Sequence, residues 1–81
     1  MQSIMTKYLG PTTHRGSRIR ATSTGGAVLT LPFNHVYNDG RNHAETALEL
    51  CRRLGWTGEL VQGCTRDGYV FVFDRGDRLA V

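Results

Sequence analysis

Nowhere does this 81-residue chain carry an apolar run near the roughly 20 residues that a helix needs to cross a bilayer. Its opening, MQSIMTKYLG, also lacks the apolar stretch of a secretory signal, and the expected setting is intracellular. Cysteine is scarce. Cys51 and Cys64 are the two, without C-x-x-C spacing, which excludes a disulfide framework and leaves both thiols expected in the reduced state, one on a helix and one on a strand. Catalytic punctuation is missing too. Neither THRGS nor TSTGG fits a glycine-rich phosphate cradle, and Ser17 and Ser23 lack the G-x-S-x-G turn that exposes a nucleophile. His35, His43 and Asp39 have no recognised metal-ligand spacing. Cys51 falls on an apolar helix stripe, where a thiol stays protonated and inert, and Cys64 has no base near it in sequence. No catalytic residue, metal ligand or cofactor is expected.

A chain of this length makes one domain, 1–81, with 1–4 and 77–81 expected as frayed ends. It buries only about 60 to 65 per cent of its unfolded surface, too little for a large internal cleft. The apolar share is 40%, and seven aromatic residues supply large side chains for a core.

Periodicity organises the middle of the chain. In NHAETALELCRRLGW, residues 42–56, Ala44, Ala47, Leu48, Cys51 and Leu54 recur at steps of three and four, the mark of an amphipathic helix. Asn42 with Glu45 forms a variant capping box. Arg52 and Arg53 suit the negative end of the helix dipole, and Gly55 suits the left-handed turn that closes it. On either side the period drops to two. RIRATS and AVLTLPF flank Gly25-Gly26 as a hairpin; ELVQGC and GYVFVF form a second around Thr65 to Gly68; MTKYL, before Gly10-Pro11, reads as a first strand. Pro32 sets its strand at an edge or at its end. The expected fold is α+β, β-β-β-α-β-β: an antiparallel sheet of four to five strands with one helix covering the Ile19 and Leu29 side.

Charge is unevenly spread. The net value is +3, and residues 1–25 hold Lys7, Arg15, Arg18 and Arg20 with no acid at all. On the strand RIRATS, Arg18 and Arg20 point away from Ile19 and Ala21, so two guanidinium forks about 7 Å apart, with Arg15 at the strand's entry, face outward. Anionic groups could bridge them; a solvated sheet face also carries such side chains, which blunt edge pairing. The loop NHVYNDGRN adds Tyr37, Asp39 and Arg41, in the kind of segment that often holds recognition residues. Asp67, Asp74 and Asp77 form a secondary acidic patch. DGYVFVFD shares Gly68, Tyr69, Phe71 and Val72 with the aromatic strand of an RNA-recognition module. Asp67 stands where that module has a base, however, and Tyr69, Phe71 and Phe73 read as core residues under the helix.

The segments TKYLGPT, RGSRIRA, LGWTGEL and DGYVFVF, spread over most of the chain, resemble a family of small proteins associated with bacterial chromosomes, prophages and phages, one group of which is similar to anti-CRISPR inhibitors of type I systems. That resemblance implies a non-enzymatic inhibitor of host defence in the bacterial cytoplasm, binding a CRISPR surveillance complex and blocking target DNA or the recruited nuclease. Inhibitors that imitate DNA carry many acids, and this chain is net positive. Arg15, Arg18 and Arg20 are therefore the expected contacts, to an acidic protein patch, guide RNA or DNA, with Asp67, Asp74 and Asp77 as the acids able to play a phosphate-like part. A nucleic-acid-binding module using the same arginines is the alternative.

Overall fold

A computed structural model describes residues 2–73. Its elements are β1 (Ser3–Leu9), β2 (Arg18–Ser23), β3 (Val28–Pro32), α1 (Asp39–Leu54), β4 (Leu60–Cys64) and β5 (Gly68–Phe73). The expected α+β order is thus observed, as one five-stranded antiparallel sheet in the order β3-β2-β1-β5-β4. β1 lies at its centre. Ser3 and Ile4, placed by sequence at a fraying end, belong to β1, and Ile4 is fully buried; residues 77–81 lie outside the described residues.

Alternation sorts the sheet into two faces. Ile4 and Thr6, Ile19, Ala21 and Ser23, Leu29, and Phe71 and Phe73 turn to one side and are buried there, with Tyr69, Leu31, Leu60 and Trp56 packed around them. α1 closes this side with Ala47, Leu50 and Cys51. The aromatics of GYVFVF are core residues, as expected. Trp56 stands edge-on to Phe73 at 5.8 Å.

The helix differs from its expected form in start and in phase. It begins at Asp39, because Asn38 is the N-cap and its Oδ1 accepts the Arg41 amide at 2.7 Å. Asn42 has another task. Buried inside the first turn, its Nδ2 faces the carbonyls of Asn34, Asn38 and Tyr37 at 2.9, 3.0 and 3.3 Å, and its Oδ1 accepts the Asn34 amide at 2.7 Å. One amide thereby satisfies a loop whose polar backbone would otherwise be costly to cover. Phase follows from the same residues. The buried stripe is Asn42, His43, Thr46, Ala47, Leu50 and Cys51, so Leu48 and Leu54, counted by sequence in the apolar stripe, are exposed. The C-terminus ends as expected: Gly55 is left-handed (φ 73°), its N–H donates to Arg52 O, and the Trp56 N–H donates to Cys51 O at 2.9 Å, the paired bonds of a Schellman motif.

Gly68 decides how closely β5 meets β1. A Cβ there would collide with the Thr6 carbonyl oxygen and press on the Lys7 Cα. Gly68→Ala is expected to lower stability by about 3 kcal/mol, the upper end for overpacking, read as a drop in the urea midpoint. Leu48→Asp is expected to leave the midpoint within about 1 kcal/mol of wild type, since the side chain is 40% exposed.

Candidate partner-binding face

The sheet face opposite α1 is open, and register assembles its chemistry. Lys7 on β1 stands directly across from Arg20 on β2, and Arg20 from Thr30 on β3. Met5 lies between Thr22 and Val70, and Ser3 leads through Val72 to Val61. The face therefore has a cationic row at the Lys7 end and an apolar field of Met5, Val70, Val72 and Val61 beside it.

Where the row meets the β4–β5 turn there is an open hollow of about 390 Å³, lined by Met5, Lys7, Arg20, Thr22, Arg66 and Asp67 among others. Three cations and one carboxylate share it. Thr65 shapes the turn: its N–H donates to Gly68 O at 2.9 Å and its Oγ1 accepts the Gly68 N–H at 3.0 Å. Like charges directly opposed on adjacent strands repel, and among the described residues Lys7, Arg20 and Arg66 form no ion pair. The ion pairs found there all lie on α1: Arg41–Glu45 at 2.8 Å, Arg52–Glu49 at 2.8 Å, Arg53–Glu49 at 3.6 Å and the His43–Asp39 contact at 3.7 Å. The helix pairs its own charges, whereas among the described residues the sheet-face cations have only Asp67 beside them, in the hollow and without an ion pair.

The expected site residues divide accordingly. Arg18 and Arg20 point to the open face, as the alternation predicts. Arg20 is exposed; Arg18 is half-buried between Leu9 and Pro32 in register, and its Nε is enclosed without a hydrogen-bond partner among the described residues. Arg15 is exposed in the 10–17 loop, where its N–H donates to Thr12 Oγ1 at 3.1 Å. Tyr37, Asp39 and Arg41 gather instead at the start of α1, on the covered side of the sheet, and much of their capacity is used internally. The Arg41 guanidinium lies 4.9 Å over the Tyr37 ring and its Nε binds Glu45. Asp67 joins the cationic hollow; Asp74 and Asp77 lie outside the described residues. Lys7 and Arg66 complete the hollow without having been singled out by sequence, because only the strand order β2-β1-β5-β4 brings them to Arg20.

A second polar group lies under the helix. His43 is 1% exposed and Thr6 3%; Thr6 Oγ1 stands 2.6 Å from His43 Nδ1, and the imidazole tilts against the Tyr69 ring at 4.6 Å. Asp39 Oδ1 lies 3.7 Å from Nε2, and the Thr6 hydroxyl donates to the Tyr69 carbonyl oxygen at 3.4 Å. A hydroxyl beside a base has the outline of an activated nucleophile, but both groups are shut beneath α1. The pair seats the helix on the central strand. Cys51, buried nearby on the same stripe, has its thiol pushed up by desolvation, and Cys64 is exposed and free. Among the described residues no three acidic, histidine or cysteine side chains cluster as metal ligands, and no helix is long and apolar enough to cross a membrane.

No known protein family, curated protein or solved structure matches the chain.

Desolvation holds the His43 imidazole below its ordinary value, with Asp39 acting in the opposite sense. The unfolded chain thus takes up this proton near pH 6.5 while the folded chain resists it until lower pH. Stability from His43 is complete above about pH 6.5 and declines as pH falls, by at most about 1.4 kcal/mol per pH unit. Urea midpoints should drop between pH 7.5 and 5.5, and the drop in that window should vanish in His43→Leu.

Proposed function

We propose that the protein is a non-catalytic binding module whose open sheet face docks an acidic patch on a partner protein. Lys7, Arg20 and Arg66 meet the partner's carboxylates, and Met5 and Val70 supply the apolar contact between them. The observation that carries this reading is the Lys7–Arg20 pair: two cations held in register, neither of them in an ion pair among the described residues. Such a pair is a standing electrostatic cost in the free protein, and an anionic partner relieves it. Guanidinium groups recognise carboxylates in bidentate fashion. The enclosure of Thr6 and His43 supports the non-catalytic half of the reading.

The resemblance to phage and prophage proteins supports one choice of partner. It is a subunit of a type I CRISPR surveillance complex, and the protein acts in the bacterial cytoplasm as an inhibitor of host defence, by occluding target DNA or the recruited nuclease. The net positive charge favours contact with an acidic subunit surface over imitation of DNA.

The cationic row also suits phosphates, so direct nucleic-acid binding is the second reading. Single-stranded RNA or DNA is disfavoured, because stacking needs aromatic platforms and Tyr69, Phe71 and Phe73 belong to the covered side. Salt separates the two readings. Three neutralised phosphates weaken duplex binding about 40-fold between 50 and 200 mM salt, whereas a protein interface with an apolar centre persists.

Lys7→Glu/Arg20→Glu is expected to keep the wild-type fold by circular dichroism, since both side chains are exposed, and to abolish protection of phage on cells with an active type I system. Undiminished protection by this folded variant would falsify the assignment of the face.

A further inference from the structure

The two edges of the sheet are not equally protected. On β3, the Ser23 N–H donates to Ala27 O and the Phe33 N–H to Ser17 O. Hydrogen-bonded pairs alternate along an antiparallel ladder, so Val28, Thr30 and position 32 turn their backbone groups outward. Position 32 is proline. It has no N–H to offer, and it blunts that edge as edge prolines do.

Among the described residues β4 has no such guard. The Thr65–Gly68 bond at 2.9 Å continues the β4–β5 register, and the same alternation turns the N–H and C=O groups of Leu60, Gln62 and Cys64 outward. The strand LVQGC contains neither proline nor charge. Apolar surface flanks it on both sides. Val61 is 51% exposed on the open face. On the helix side, Ala44, Leu48, Leu60 and Phe71 line a groove of about 410 Å³, because α1 packs on β1, β2, β3 and β5 and stops short of covering β4.

We infer that β4 is a self-pairing edge, and that two copies of this chain join through it into one continuous ten-stranded antiparallel sheet. The strand is self-complementary in one register. With Gln62 on the two-fold axis, Gln62 faces Gln62 of the second copy and Leu60 faces Cys64, which engages all three outward residues on each side in six backbone hydrogen bonds. A shift of the axis to Val61 or Gly63 loses one of these pairs. The chosen register also matches charge. Glu59 and Arg66 flank β4, and antiparallel pairing sets Glu59 opposite Thr65 and one residue from Arg66 of the second copy, at both ends of the joint. Val61 falls opposite Gly63, whose lack of a side chain leaves room for it. Both helices then stand on one face, and the two grooves open toward each other with Leu48 of each copy over the joint. Face-to-face packing of the open faces is disfavoured, since it would bring Lys7, Arg20 and Arg66 of both copies together.

The test is the mass of the full chain in solution, by sedimentation equilibrium up to about 100 µM, where a specific dimer is populated by mass action. Wild type is expected near 18 kDa, twice the 9.0 kDa chain. Gln62→Pro removes only an outward N–H and is expected to be a folded monomer. Glu59→Arg sets like charges together and is expected to weaken the dimer about tenfold, with Glu59→Arg/Arg66→Glu restoring it. A wild-type monomer across that range overturns the inference, as does a folded Gln62→Pro that stays dimeric. Should Gln62→Pro fail to fold, the charge pair decides: a dissociation constant unmoved by Glu59→Arg, or left weak in the double variant, overturns it equally.

Discussion

The antiparallel contact between β1 and β5 holds this protein together. It joins segments 63 residues apart, as in the Thr6 and Tyr69 pair, and turns a three-stranded meander and a hairpin into one sheet. Everything else refers to it. The buried Thr6 hydroxyl under α1 lies on this seam, the hollow of Lys7, Arg20 and Arg66 opens beside it, and Gly68 is required where the two backbones come closest. Without the seam the sheet would divide into a three-stranded β1-β2-β3 unit and a marginal two-stranded β4–β5 hairpin.

Local pattern was legible in the sequence and long-range pairing was not. Alternation in RIRATS and GYVFVF located the strands and the side each residue faces, because period two is a local property. Gly25-Gly26 and the Thr65 to Gly68 turn announced the hairpins, and Gly55 the helix end. The phase of α1 was harder to read. Leu48 and Leu54 suggested a stripe by hydropathy, yet the buried side includes Asn42, His43 and Thr46, polar residues whose partners come from elsewhere in the chain. A helix can bury polar groups when each finds a hydrogen bond; no count of apolar residues anticipates that. Asn38 and Asn42 could each have capped the helix, and Asn42 is instead enclosed by carbonyls of residues 34–38, an arrangement visible only once the loop has closed over it.

The candidate site was half legible for the same reason. Arg18 and Arg20 follow from strand parity. Lys7 and Arg66 join Arg20 through a strand order in which β1 lies between β2 and β5, and many orders are compatible with the same five strands. Tyr37, Asp39 and Arg41 looked like recognition residues by loop context, but the side chains that cap and brace a helix are chemically the same as those that bind a partner.

The central place of β1 bears on how the molecule is made. A ribosome releases β1 before its neighbour β5, with β2, β3, α1 and β4 between them, so the nascent chain carries a half-finished sheet with one flank of β1 bare until β5 emerges. Such distant pairing also slows folding, since a large loop must close before the contacts that reward it can form. During that interval the uncovered strand can be claimed by any extended segment nearby, and rapid completion of translation is itself a safeguard against misassembly.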